Sequence, residues 1–96
     1  FDNFAMNSET LYRTLLQMKY IGWFQTTKAI MIGRTCFESN STGLSYEDAI
    51  KHALQDIPVI YDADIGHTVP RITMINGALL HLHYKDGQAS LQFKLK

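Results

Sequence analysis

Cysteine is nearly missing from this sequence: Cys36 is the only one in 96 residues. A disulfide within the chain is excluded, and a thiolate metal cluster has too few ligands. A lone thiol fits a reducing compartment. Without an adjacent base it reads as a small apolar filler, not a nucleophile. Excess charge of one sign is missing as well, since nine basic and nine acidic residues give a formal net charge of zero. That argues against a nucleic-acid binder, which needs clustered Lys and Arg to neutralise phosphates. It also removes the electrostatic reason to sit on an anionic membrane. No apolar run approaches the roughly 18 residues of a membrane span, and no signal peptide opens the chain. There is no internal repeat and no low-complexity segment. An initiator methionine is absent too. The opening Phe1-Asp2-Asn3-Phe4 resembles the end of a strand, so the chain reads as cut from something longer.

What is present describes one ordinary domain, 46% hydrophobic and 19% charged. Ser8 or Asn7 is placed to cap a helix over Glu9 to Ile21, with Leu11, Leu15 and Met18 at helical spacing and Tyr12 and Leu16 widening the apolar face. Gly22 is a natural stop. The run Lys28 to Gly33 is short, apolar and ends in glycine, as a buried parallel strand does. Arg34 to Gly43 is a polar surface loop. Ser45 caps a second helix, Asp48 gives it a shortened capping box, and Tyr46, Ala49, Ile50, Ala53 and Leu54 form its buried face. Asp56 and Pro58 end it, and Val59-Ile60-Tyr61 is the next strand. The final third changes character. Arg71 to Ile75, Ala78 to Tyr84 and Ala89 to Leu95 read as antiparallel strands, with turns at Asn76-Gly77 and Asp86-Gly87. The expected fold is α/β: a single compact domain, a short parallel sheet with helices, then an antiparallel C-terminal meander.

The chemistry is concentrated where the second strand runs into Asp62-Ala63-Asp64-Ile65-Gly66-His67-Thr68-Val69-Pro70. In parallel sheets, functional groups collect just beyond the carboxyl ends of strands. Gly66 permits positive φ or a close approach, and Pro70 stiffens the exit. A histidine between them is held in a defined place, as a general base must be. Composition alone leaves two readings open, a general base or a hydrogen-bonded surface histidine.

That phrase resembles the Asp-x-Asp-x-Gly-His-x-x-Pro signature of the serine LD-carboxypeptidases, which include muramoyltetrapeptide carboxypeptidases and microcin C self-immunity peptidases. The likeness extends along the chain. Gln17-Met18 through Gly22-Trp23-Phe24 resembles the family's preceding helix and turn, Ile30 to Arg34 its strand before a variable loop, and Ser45 to Asp48 the start of its next helix. The resemblance implies the C-terminal domain of a two-domain enzyme with a swivelling β/β/α-like fold. An N-terminal nucleophile domain would supply a serine. This domain would supply His67 and, at the position where the family usually has glutamate, Asp2. Aspartate is shorter by one methylene, so the backbone must approach or the bond to His67 must lengthen. The resemblance further implies a peptide or murein-peptide substrate cut at an L–D linkage, no metal or organic cofactor, and a bacterial cytoplasmic location. The isolated chain is expected to be a folded half-site without turnover.

Other residues invite chemistry less strongly. Either Asp62 or Asp64, Asp64 foremost, is the alternative orienting carboxylate, although both more often accept bonds from loop N–H groups. Arg34 suits a substrate carboxylate, or else a solvated loop edge. His81 and His83 alternate on one strand, so they share a face, and with no evident third ligand they read as exposed strand residues opposite a buried Leu80-Leu82-Tyr84 face. His52 falls on the polar side of its helix. None of Ser8, Ser39, Ser41, Ser45 and Ser90 sits at the strand–turn–helix elbow that exposes a nucleophile. Two non-catalytic readings stand beside the enzyme: a binding module that keeps the fold, and a structural domain contributing to a homodimer interface.

Overall fold

Six elements follow one another: α1 (Ser8–Tyr20), β1 (Ile30–Gly33), α2 (Tyr46–Ala53), β2 (Val59–Ala63), β3 (Leu79–Lys85) and β4 (Gln88–Lys94). The structure, a computed structural model, describes residues 1–2, 5–35 and 38–95. Cys36, read above as an apolar filler, lies outside the described residues, as do Asn3 and Phe4 of the opening motif.

Of the two candidate caps for α1, Asn7 takes the position: its Oδ1 accepts from Thr10 N at 2.8 Å. Ser8 is instead the first helical residue and fully buried. At the other end Ile21 is the cap and Gly22 turns the chain at φ +93°. There Gly22 N donates to Lys19 O at 3.2 Å and Trp23 N to Met18 O at 3.1 Å, which satisfies carbonyls the helix leaves open. In α2, Ser45 Oγ accepts from Asp48 N at 3.1 Å, and Glu38 Oε1 takes the free N–H of Tyr46 at 2.9 Å. Both helices therefore start where a polar side chain meets an orphan donor.

Helical spacing on α1 and α2 puts Leu11, Leu15, Ile50 and Ala53 in one buried cluster with Ile30 and Ile32 of β1. Burying each large aliphatic chain contributes about 1.5–3 kcal/mol. Among the described residues no helix is long and apolar enough to cross a membrane.

β1 and β2 pair in parallel, Ile30 opposite Val59 and Met31 opposite Ile60, with a register irregularity before Gly33 meets Ala63. The other edge of β1 is also used. Phe1 N donates to Met31 O at 2.8 Å and Gly33 N donates to Phe1 O at 3.0 Å. This exchange is that of a parallel bridge opposite Ile32. Ile30 and Arg34 turn their N–H groups the other way, to Pro58 O and Ala63 O on the β2 side. β1 is thus the centre of three parallel segments, and the ends of the first and third lie on either side of it. The strand ends that carry Asp2 and lead to His67 are therefore not neighbours; β1 lies between them.

The C-terminal part departs from expectation in two respects. β3 and β4 form an antiparallel hairpin in which Lys85 faces Gln88, turned by Asp86 (φ 53°) and Gly87 (φ 76°). That is the positive-φ pair a two-residue hairpin needs. Residues 71–75, expected as a strand, are irregular and exposed. β3 pairs with β4, and no ladder forms between β3 and this segment. Strand propensity without a paired partner does not make a strand. Leu80 and Leu82 are half-buried and His81 and His83 exposed, as the alternation requires, but Tyr84 is 58% exposed instead of buried.

Candidate active site

Residues 64–70 leave β2 and fold back across the end of β1. The crossing is possible because Gly33 has no side chain: a Cβ there would stand 2.5 Å from Ile65 O and 3.1 Å from Ile65 Cγ1. Ile65 packs down at this point and is only 6% exposed. The next residue, Gly66, adopts φ +97°, which glycine tolerates and other residues resist. A Cβ at Gly66 would stand 2.7 Å from Asp2 Oδ1. The Asp2 carboxylate therefore occupies the space that a side chain at 66 would fill.

The result is a direct contact. His67 Nδ1 lies 2.7 Å from Asp2 Oδ2, and the two side chains are 60% and 40% exposed. Phe1, held on β1, delivers Asp2 from one side, and the loop over Gly33 delivers His67 from the other. The short aspartate side chain reaches the ring because the loop backbone passes close to it at Gly66. A pair this exposed adds little to folding. What such a pair can provide is orientation: an imidazole that donates Nδ1–H to a carboxylate keeps its proton there, which makes Nε2 the basic nitrogen. Such a ring can accept a proton at Nε2, and the carboxylate stabilises the cation that forms.

Asp64, the alternative acid, is engaged elsewhere. Its Oδ1 lies 2.9 Å from Arg34 Nη2, and the same nitrogen donates to Pro70 O at 2.5 Å. Arg34 is thus neither a solvated loop edge nor held out for a substrate; it ties the histidine loop at both ends. Its Nε is buried with no hydrogen-bond partner among the described residues. Ile72 N closes the base of the loop on Asp64 O at 2.7 Å, and the Val69–Pro70 peptide is cis.

Sequence reasoning assigned no role to two further groups near this end of the sheet. Tyr46 is 6% exposed, and its hydroxyl has no partner among the described residues. Burial above all, then the Asp62, Glu38 and Asp2 carboxylates, push this phenol well above its ordinary pKa, so it stays neutral. Glu9 ties the loop after β1 to α1, its Oε1 accepting from Ser41 N at 2.6 Å, Thr42 N at 2.9 Å and Thr42 Oγ1 at 2.8 Å. The Ser41 N–H foremost, with the Thr42 groups, lowers its pKa to about 2. A buried tyrosine on an apolar helix face and an acid in a first turn gave no signal beyond core and dipole.

A cleft of about 700 Å³ lies between β2 and the hairpin, with Ile60, Asp62, Asp64, Tyr84 and Phe93 in its walls. Neither Asp2 nor His67 lines it. His52 is exposed on α2, and Ser39, Ser41 and Ser90 are exposed in loop and strand.

Comparison with known proteins gives a consistent picture. The family described as the LD-carboxypeptidase C-terminal domain matches residues 2–82. No curated protein matches the chain. Among solved structures, the crystal structure of a muramoyltetrapeptide carboxypeptidase from Oxalobacter formigenes has the same fold, with a TM-score of 0.85 over 96% of this chain at 24% identity. The chain spans 33% of the length of that structure.

Proposed function

The chain belongs to the LD-carboxypeptidase C-terminal domain family, and on that premise we propose that it supplies the base and acid of a serine carboxypeptidase site. His67 is the general base and Asp2 its orienting carboxylate. The observation that carries this reading is the 2.7 Å contact between His67 Nδ1 and Asp2 Oδ2. Two positions where a side chain would clash, Gly33 and Gly66, leave room for it.

The nucleophile is a serine from an N-terminal domain of the same protein. Its hydroxyl is a poor nucleophile until an imidazole takes its proton. His67 Nε2 accepts that proton as the oxygen attacks the scissile carbonyl, and Asp2 stabilises the imidazolium. The proton then passes to the departing amine, which leaves as a free D-amino acid. Water, deprotonated by the same ring, hydrolyses the acyl-enzyme and restores the serine. Every proton moves between protein, substrate and water, so the sequence of steps calls on no metal or organic cofactor. The substrate class is a murein tetrapeptide losing its terminal D-residue at an L–D amide, a recycling reaction of the bacterial cytoplasm. The cleft between β2 and the hairpin omits Asp2 and His67, which suits a site whose remaining walls come from the other domain. The 96-residue chain alone releases no D-alanine on this reading.

The test uses the full-length protein. His67→Ala lowers kcat by several orders of magnitude, and Asp2→Asn, which keeps shape and loses charge, by about 10⁴ by analogy with other catalytic triads. Asp64→Asn costs far less. Full turnover by His67→Ala refutes the base. Asp64→Asn proving the more damaging change, with Asp2→Asn intact, means the wrong carboxylate has been chosen.

A further inference from the structure

We infer that Arg34 is a positioning residue for the His67 base, acting through the loop that carries it; this rests on the reading of His67 given above. The loop is well fixed before the histidine, where Ile65 packs on Gly33 and Asp64 O accepts from Ile72 N at 2.7 Å. From Val69 to Arg71 the chain is exposed. Val69 is 80% exposed, Pro70 has no N–H to donate, and the chain beyond is irregular. Arg34 Nη2 spans the loop, 2.9 Å from Asp64 Oδ1 at the entry and 2.5 Å from Pro70 O at the exit. Arg34 is itself anchored to the parallel sheet, since its backbone N–H reaches Ala63 O at 3.3 Å. Sheet and both ends of the loop are therefore joined through one residue.

Stability does not account for this arrangement. The side chains of Arg34 and Asp64 are 31% and 51% exposed, and ion pairs at such exposure add little to folding. The buried Nε, which has no partner among the described residues, works against folding. Position does account for it. A base displaced by about 1 Å loses on the order of a hundredfold in rate, and Arg34 adds a side-chain tie to the backbone bond from Ile72 N to Asp64 O that closes the loop.

A single nitrogen makes both contacts, so an ammonium in the same place can replace them. Steady-state kinetics of the full-length protein on a murein tetrapeptide, with thermal melts, test this. Arg34→Met keeps the apolar stem and is expected to lower kcat about tenfold or more, with KM within about twofold. Arg34→Lys is expected to recover most of that loss. Unchanged kcat in Arg34→Met overturns the inference. So does a loss confined to KM, which marks a substrate-binding residue, and so does Arg34→Lys performing no better than Met. If Arg34→Met does not fold, Asp64→Asn decides: a kcat lowered about threefold with unchanged KM supports the clamp, and wild-type kcat overturns it. His67→Ala is measured alongside. If it keeps turnover, the base reading itself fails; if it is inactive while Arg34→Met keeps kcat, only the positioning role falls.

Discussion

Adding one methyl group at Gly33 tests the crossing on which the candidate site depends. The new Cβ would meet Ile65 O at 2.5 Å, and the carbonyl carbon behind it at 3.2 Å. Ordinary carbon–oxygen contact lies roughly 1 Å further out, so the loop must retreat by about that distance. The obstacle is backbone, so rotating a side chain does not relieve it. The loop is also held by the Ile72 N–Asp64 O bond. Overpacking of this kind destabilises by about 1–3 kcal/mol, and a displacement near 1 Å at the base lowers turnover by roughly a hundredfold. The assay is kcat of the full-length Gly33→Ala protein with its melting temperature. Gly43→Ala is the control: a Cβ there meets nothing within 4 Å, and only the φ of +83° is strained. It should destabilise by about 1 kcal/mol and leave kcat unchanged. Wild-type kcat in a folded Gly33→Ala protein would falsify the reasoning, because the histidine would then not depend on the loop's seat against β1.

Two further outcomes follow from packing and charge. Leu15 has no exposed surface, so Leu15→Ala should destabilise this domain by about 2–5 kcal/mol in urea unfolding; a change below about 1 kcal/mol would place Leu15 outside the core. Glu9 has its pKa lowered from 4.5 to about 2 in the folded protein, so its linked contribution is complete above pH 4.5 and disappears as pH falls towards 2. Amide exchange at Ser41 and Thr42 should therefore stay protected at pH 3.5 and rise below it, and Glu9→Gln should remove that pH dependence; loss of protection already at pH 4.5 contradicts the network.

The helices were legible because their signals are local. Apolar spacing marked α1 and α2, and Ser45 and Gly22 marked ends that hydrogen-bond within a few residues. β1 and β2 were legible as apolar runs, although β1 begins at Ile30 and not Lys28. The failure at residues 71–75 was of another kind: a strand exists only when a partner lies alongside, and a single segment does not reveal its partner. His67 and Asp2 were found through family likeness, and their meeting depends on a bridge between Phe1 and Ile32 that no local pattern announces. Gly33 looked like a strand terminator. Its function as a saddle is visible only once Ile65 lies over it. Arg34 looked solvated because both of its partners come from a loop far along the chain.

The Asp2 carboxylate and a side chain at position 66 would compete for one volume, which couples the two positions sterically. An acid lengthened to glutamate must be rehoused before its carboxylate can reach the imidazole, and any residue larger than glycine at 66 evicts the acid already there. Substitutions at the two sites should therefore show epistasis, the effect of each depending on the residue at the other.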